Sequence, residues 1–190
     1  MLVHKCLFMY QMMEMMYLVS LKGLKMSFRK ALWCVFFLAV LCAAASFVGQ
    51  YVLGMNPCVL CIVQRVAVIL TALLALLCAC CPNRNCIEKV INAIVVSLAP
   101  IGGLCVAIYQ IYIQHLPLID QPSCGAPWTF RLRDAPLFHW YEPIIRGTGN
   151  CGEVQHILWI PLPVWSVLFF VAVLLWVWGW LWQCRTRSRK

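Results

Sequence analysis

Charged side chains are scarce in this sequence. They make up 11% of its 190 residues, and only six of them are Asp or Glu. The hydrophobic fraction is 64%, and the mean hydropathy is +0.85. A water-soluble domain needs a more polar surface than this, so the composition excludes an ordinary soluble protein and indicates an integral membrane protein.

Charge is almost absent from the long apolar stretches. Four stretches have the roughly 20 apolar residues that an α-helix needs to cross a bilayer, namely residues 31–53, 62–81, 90–113 and 162–182. The first contains a possible signal-cleavage pattern at Ala43 and Ala45, but its apolar character continues to Leu53, so we predict an uncleaved span. Arg65 is the only charge in any span, which disfavours a transporter. The sequence predicts an all-α integral membrane protein, a four-transmembrane-helix bundle.

Eight of the fifteen basic residues form clusters at the ends of the spans. They are Arg29 and Lys30 before the first, Arg84 and Lys89 between the second and third, and Arg185, Arg187, Arg189 and Lys190 after the fourth. They are not interleaved with aromatic residues on a soluble domain, so no nucleic-acid partner is expected despite the net charge of +9. The positive-inside tendency predicts that both termini are cytoplasmic, and that residues 54–61 and the long loop 114–161 lie outside.

The N-terminal segment differs from the rest of the chain. Residues 1–25 carry six of the eight methionines without a convincing amphipathic pattern. We treat them as an extension before a single four-helix membrane domain, residues 26–190. Because Met26 and the polar residues after it are typical of a natural start, one hypothesis is a misplaced start codon. A surface amphipathic helix is the alternative.

The outside loop 114–161 between the third and fourth spans contains six prolines and no strong helix or strand period. We therefore predict that it is largely irregular. Within it, residues 135–141 are apolar and aromatic but too short to cross a bilayer, so we expect them to lie in the membrane interface.

Four of the thirteen cysteines lie outside the membrane or at its outer edge: Cys58, Cys61, Cys124 and Cys151. Only these face an oxidising compartment. Cys58 and Cys61 have the two-residue spacing of a redox-active pair or of half a zinc site. Since Cys124 and Cys151 lack such a spacing, we expect no metal. The remaining cysteines lie in spans or toward the cytoplasm and are treated as small apolar side chains.

Cys61 lies at the amino end of the second span, where free backbone N–H groups and the helix dipole favour a thiolate. Arg65 follows one turn deeper on the same helix face, where its charge can stabilise both a thiolate and a reduced, anionic electron acceptor. The alternative is that Arg65 only extends toward the outer interface.

Cys124 and Cys151 alone would be typical of a structural disulfide in an extracellular loop. A second exposed pair nearby favours a different interpretation, because two neighbouring disulfides can exchange and so carry two electrons. His115, at the outer end of the third span, lies where a quinone head group can be met.

These residues resemble the DsbB family, the quinone-linked disulfide oxidases of the bacterial inner membrane. The resemblance covers about residues 27–185 and rests on Pro57-Cys-Val-Leu-Cys61 with Arg65, on the loop pair, and on Gly149-Asn-Cys-Gly-Glu153 followed by Pro163-Val-Trp165. It implies a periplasmic loop that receives the dithiol of a DsbA-like, thioredoxin-fold partner. By the resemblance, Cys124 forms the mixed disulfide, Cys151 exchanges with Cys58, and Cys61 passes electrons to a quinone.

The resemblance also implies that Arg65 and His115 bind the quinone, either ubiquinone or menaquinone, in contact with membrane lipid. The sequence departs from the family pattern in its N-terminal extension, its many extra cysteines, and Gln64 in place of an acidic residue. Two other classes share some features. A vitamin K epoxide reductase-like enzyme has its two-spacer pair late in the chain, whereas here it comes first. A tetraspanin-like organiser leaves Cys58, Cys61 and Arg65 without a role.

Overall fold

The computed structural model describes residues 27–117, 119–122, 125–157 and 159–188. Its elements in chain order are α1 (Phe28–Tyr51), α2 (Val59–Cys80), α3 (Cys86–His115), α4 (Trp128–Arg131), α5 (Phe138–Ile145), β1 (His156–Ile157), β2 (Ile160–Pro161) and α6 (Leu162–Ser188). The N-terminal extension, residues 1–25, and the candidate Cys124 lie outside the described residues.

In the part of the chain that the structure describes, four helices are long and apolar enough to cross a membrane: α1, α2, α3 and the segment Leu162–Gln183 of α6. This confirms the predicted four-helix membrane fold. Three helices begin a few residues before the apolar stretches, and side chains cap two of them, α2 and α3. Asn85 and Glu88 form a reciprocal capping box at the start of α3, and the Cys58 side chain caps α2.

The four long helices form a closed bundle. The helix α1 packs on α2, α2 on α3, α3 on α6, and α6 more narrowly on α1. The main hydrophobic cluster contains Leu32 and Val35 of α1 together with fully buried alanines of α2 and α3, Ala75, Ala79 and Ala93. Small residues at these positions let the helix backbones approach closely, as is common between membrane helices.

A glycine fixes the contact between α3 and α6. A Cβ atom added at Gly103 would overlap the ring of Phe170, which is itself fully buried. The absence of a side chain at Gly103 therefore leaves the space that the Phe170 ring fills.

The loop between α3 and α6 is mostly without regular structure, apart from the short helices α4 and α5 and an antiparallel pair. In that pair His156 lies opposite Pro161, and Ile157 lies opposite Ile160. The apolar segment predicted at residues 135–141 runs into α5, where Trp140 is 82% exposed. The carboxyl end of α5 is tied to α1, because the Tyr51 hydroxyl donates to the Pro143 carbonyl at 2.8 Å.

Candidate functional site

The first two predicted cysteines meet at the outer end of α2. Cys58 is the extended residue before the helix, and its sulfur accepts the Cys61 backbone N–H at 3.2 Å. The two-residue spacing places Cys61 in the first turn, with its Sγ 2.8 Å from the Sγ of Cys58. Both are free cysteines here, so the site holds a hydrogen-bonded thiol pair.

Cys58 is the more protected member of the pair. It is 3% exposed. The hydrogen bond with the Cys61 side chain, together with burial, raises the pKa of the Cys58 thiol well above its ordinary value. Cys58 therefore keeps its proton at neutral pH.

A buried amide covers both sulfurs. The Nε2 of Gln110 on α3 lies 3.4 Å from the Sγ of Cys58 and 3.3 Å from that of Cys61. Gln64 on α2 donates its Nε2 to the Oε1 of Gln110 at 2.6 Å. Gln110 is 2% exposed and Gln64 is 4% exposed. Neither glutamine was predicted to belong to the site. The signal that would have found them is an uncharged amide inside an otherwise apolar span.

Arg65 lies one turn below Cys61 and is 5% exposed, so it does not extend to the outer surface. Its Nε donates to the Ser46 hydroxyl at 2.9 Å, and one terminal nitrogen donates to Gln50 Oε1 at 2.6 Å. The same nitrogen donates to the Ile144 carbonyl at 3.3 Å. The guanidinium also lies 4.7 Å from the centre of the Phe47 ring.

All of these contacts to Arg65 are neutral. Within the described part of the chain, the two ion pairs are Arg133 with Asp134 and Arg146 with Glu142, and both are at the surface. Arg65 thus carries a buried positive charge without a carboxylate partner there, and it interacts electrostatically with Cys61. A charge held in this way favours an oxygen-bearing ligand or one that becomes negative.

The third candidate, Cys151, lies beside the thiol pair. It is completely buried, takes part in a disulfide bond, and packs in one cluster with Cys58 and Val59. The backbone around it pairs with the chain before Cys58, since the Gly149 N–H donates to the Pro57 carbonyl at 3.1 Å. A Cβ at Gly149 would overlap the Asn56 carbonyl oxygen, so this close approach requires glycine.

Trp128 of α4 closes the site from the loop side. Its indole N–H donates to the Val59 carbonyl at 3.2 Å, and its ring packs against the cluster of Cys58, Val59 and Cys151. The guanidinium of Arg131 lies 5.2 Å from the centre of the Trp128 ring. This contact holds α4 against the cluster of Cys58, Val59 and Cys151.

The predicted residue His115 lies at the outer end of α3. It is the last residue of α3, it is exposed, and its Nδ1 lies 2.8 Å from the Ile111 carbonyl oxygen of the same helix. Among the described contacts, none joins His115 to Cys58, Cys61 or Arg65, so its predicted role in binding quinone stays a prediction.

A narrow crevice adjoins the thiol pair and is lined by Gln110, Gln114, Asn150, Glu153 and Gln155, among others. The crevice lies between α3 and the residues on either side of Cys151. Over the ranges that the structure describes, no group of three or more His, Cys, Asp or Glu is arranged to hold a metal ion. The arrangement therefore offers thiol chemistry next to polar, hydrogen-bonding groups.

Comparison with known proteins gives one consistent result. A family model described as "Disulfide bond formation protein DsbB" matches residues 28–180. "Disulfide bond formation protein B" of Neisseria meningitidis serogroup A is 50% identical over 150 residues, which cover 79% of this chain and 93% of that protein. The protein of that description from Neisseria gonorrhoeae is 49% identical over 150 residues, with the same coverage. That from Chromobacterium violaceum is 34% identical over 146 residues, 74% of this chain and 87% of that protein.

Proposed function

Because this chain belongs to the DsbB family of disulfide bond formation proteins, we propose that it reoxidises a DsbA-like dithiol protein and passes the electrons through two cysteine pairs to a membrane quinone. Family membership makes it a multi-pass membrane oxidoreductase of disulfide bond formation. It also argues against the organiser and the vitamin K epoxide reductase-like classes. The observation that carries the finer proposal is that buried Cys151 lies in one cluster with Cys58.

The first step takes place in the loop, on a disulfide between Cys124 and Cys151. A thiolate of the partner attacks Cys124, the loop disulfide breaks, and a mixed disulfide forms while Cys151 leaves as a thiolate. The second thiol of the partner then attacks its own half of the mixed disulfide and expels Cys124. The partner has lost two electrons and two protons, and the loop pair has gained them.

The second step moves these electrons to the pair on α2. Cys151 attacks Cys58 of the oxidised Cys58–Cys61 pair, and Cys61 leaves as a thiolate at the amino end of α2. Cys124 then attacks Cys151, which restores the loop disulfide and releases Cys58. Cys151 and Cys58 lie in one buried cluster, and Cys61 packs against the same cluster, which supports exchange between the two pairs.

Arg65 fits a quinone head group by its chemistry. Within the described residues its hydrogen bonds use Nε and one terminal nitrogen, so the other terminal nitrogen can donate to a carbonyl oxygen. The proposed holders are Arg65, next to Cys61, and His115 at the outer end of α3. A bound quinone, ubiquinone or menaquinone, supplies the oxidising capacity by accepting two electrons and two protons from the thiol pair.

The proposed location is the bacterial inner membrane, with both termini in the cytoplasm. The clusters of basic residues at the inner ends of the spans support this orientation. It puts Cys58, Cys61 and Cys151 at the periplasmic side, where a thioredoxin-fold partner can reach the loop.

The test follows quinone absorbance after addition of a reduced thioredoxin-fold dithiol protein to the purified chain. Wild type should consume quinone, whereas Cys61→Ser and Cys124→Ser should not consume it. Cys105→Ser is the matched control, because Cys105 is a free, exposed cysteine of α3 outside the site, and it should keep wild-type turnover. Equal rates in wild type and both site variants would refute the relay.

A further inference from the structure

We propose that Gln110 is a catalytic residue of the thiol pair, which holds the reduced sulfurs through its amide, and that Gln64 is the positioning residue that keeps this amide oriented. The inference rests on the proposed function only in taking Cys58 and Cys61 as the reacting sulfurs. It assigns a role to the two buried glutamines, which neither the loop exchange nor the contact with quinone requires.

The Gln110 amide offers Cys61 two kinds of partner at once. Its Nε2 lies 3.3 Å from the Cys61 sulfur, and its Oε1 lies 3.7 Å from the same sulfur. The oxygen can accept the S–H of a thiol, and the nitrogen can donate to a thiolate. One orientation of the amide therefore serves both protonation states of Cys61, without a rotation that would cost time or break other contacts.

The same nitrogen also reaches Cys58, 3.4 Å away. Thiols and thiolates accept hydrogen bonds better than the sulfurs of a disulfide do, so donors at these positions stabilise the reduced pair over the oxidised one. This makes the Cys58–Cys61 disulfide a better acceptor of electrons from the loop. Gln110 thus favours the direction in which electrons must travel.

Gln64 fixes the orientation of the Gln110 amide. Its N–H group donates to Gln110 Oε1 at 2.6 Å, which points the nitrogen of Gln110 at the sulfurs. Gln64 lies three residues after Cys61 on α2, and so on the same helix face. Both glutamines are almost fully buried at the outer end of two spans, where an unpaired amide is costly. Gln110 is therefore held by its contacts with Gln64 and with the two sulfurs.

The test measures the equilibrium of the Cys58–Cys61 pair in the purified full chain, in glutathione or dithiothreitol redox buffers. Thiols are trapped by alkylation and assigned to positions by mass spectrometry. Gln110→Leu should shift the pair toward the disulfide by about three- to tenfold, which is roughly 15–30 mV in reduction potential. Gln110→Glu keeps the size, but its carboxylate has no N–H donor and adds a negative charge beside the sulfurs, so it must shift the pair in the same direction.

Gln64→Met should give a smaller shift in the same direction, and none when it is added to Gln110→Leu, because Gln64 acts through that amide. Thr71→Val is the control for general damage. Thr71 is fully buried on α2 and donates only to the Ala67 carbonyl of its own helix, so this change should lower stability without shifting the pair.

The proposal is overturned if neither Gln110 variant shifts the equilibrium, or if Thr71→Val shifts it as far. Because this measurement contains no quinone and no partner protein, its failure leaves the proposed relay intact. Failure of the relay would appear instead as absence of quinone consumption by wild type.

Discussion

Asn56 and Thr148 hold each other by two hydrogen bonds, although 92 residues separate them in the chain. The Asn56 amide donates to the Thr148 hydroxyl at 2.9 Å, and the Thr148 backbone N–H donates to Asn56 Oδ1 at 3.0 Å. Asn56 lies shortly before Cys58, and Thr148 lies shortly before Cys151. The two bonds thus hold the segment before Cys58 beside the segment before Cys151.

Asn56→Ala should slow electron transfer between the two pairs. It removes both bonds, each worth about 1 kcal/mol, while the cysteines themselves remain. We expect the exchange to slow by several-fold, as measured by rapid alkylation after one round of reduction by a dithiol partner. Asn83→Ala, which alters a hydrogen-bonded asparagine after the other end of α2, should leave this rate unchanged. A normal exchange rate in Asn56→Ala would mean that the alignment does not limit transfer.

Gly149→Ala tests the close approach of the segments before Cys58 and Cys151 by adding a methyl group between them. The added Cβ would overlap the Asn56 carbonyl oxygen and lie 3.1 Å from the Pro57 carbonyl carbon, so the backbone beside Cys151 must move. Such overpacking costs about 1–3 kcal/mol, and slower exchange between the pairs should accompany it.

Gly102→Ala is the matched control for Gly149→Ala, since a Cβ there meets nothing within 4 Å. Thermal unfolding and the alkylation time course of the two alanine variants decide the outcome. Equal behaviour of both variants would contradict the close approach of the two segments.

Arg65→Met should weaken steady-state quinone turnover, by about tenfold or more, while one round of partner oxidation by the loop disulfide survives. The reason is that Arg65 is the buried charge next to Cys61, whereas the loop disulfide reacts without it. Quinone absorbance reports the first quantity, and single-turnover trapping of the partner disulfide reports the second. Unchanged steady-state kinetics would refute the role given to Arg65.

Alkylation of Cys58 should be slow in the reduced protein. Its raised pKa leaves less thiolate at pH 8 than an ordinary thiol of pKa 9.0 has, and the thiolate is the reactive form. The rate should rise only at pH values well above that ordinary value. In Cys61→Ser the strongest cause of the shift, the hydrogen bond with the Cys61 side chain, is changed, so Cys58 should react faster. Site-resolved mass spectrometry checks both rates, and fast labelling of wild-type Cys58 at pH 8 would contradict the pKa shift.

Hydropathy predicted the four spans well, because burial in lipid requires long apolar runs whatever their neighbours are. The helix ends moved by a few residues, as at Cys58 and Asn85, where capping depends on local side chains. The loop was expected to be largely irregular, and its short helix α5 was not anticipated. Eight residues with an internal Pro143 carry too little periodicity to distinguish a helix from an apolar turn.

The polar contacts of the site were the part that the sequence could not provide. The motif identified Cys58, Cys61 and Arg65, because their spacing along one helix fixes which face they share. Gln110, however, lies on another helix, α3. Whether its amide meets the sulfurs depends on how far α3 is rotated and shifted against α2, and neither quantity is encoded in hydropathy. The pairing of Asn56 with Thr148 is a contact of the same long-range kind.

The side-chain amide of Gln50 is bonded at both ends, with its oxygen accepting from Arg65 and its nitrogen donating to the Arg146 carbonyl at 2.8 Å. Arg65 itself also donates to the Ile144 carbonyl at the end of α5. The surface helix α5 and the buried guanidinium of Arg65 are therefore coupled by these hydrogen bonds. Moving α5 away from the bundle must break the hydrogen bond between Arg65 and the Ile144 carbonyl. A displacement of the outside loop therefore changes the position of the Arg65 charge, one helical turn below the thiol pair.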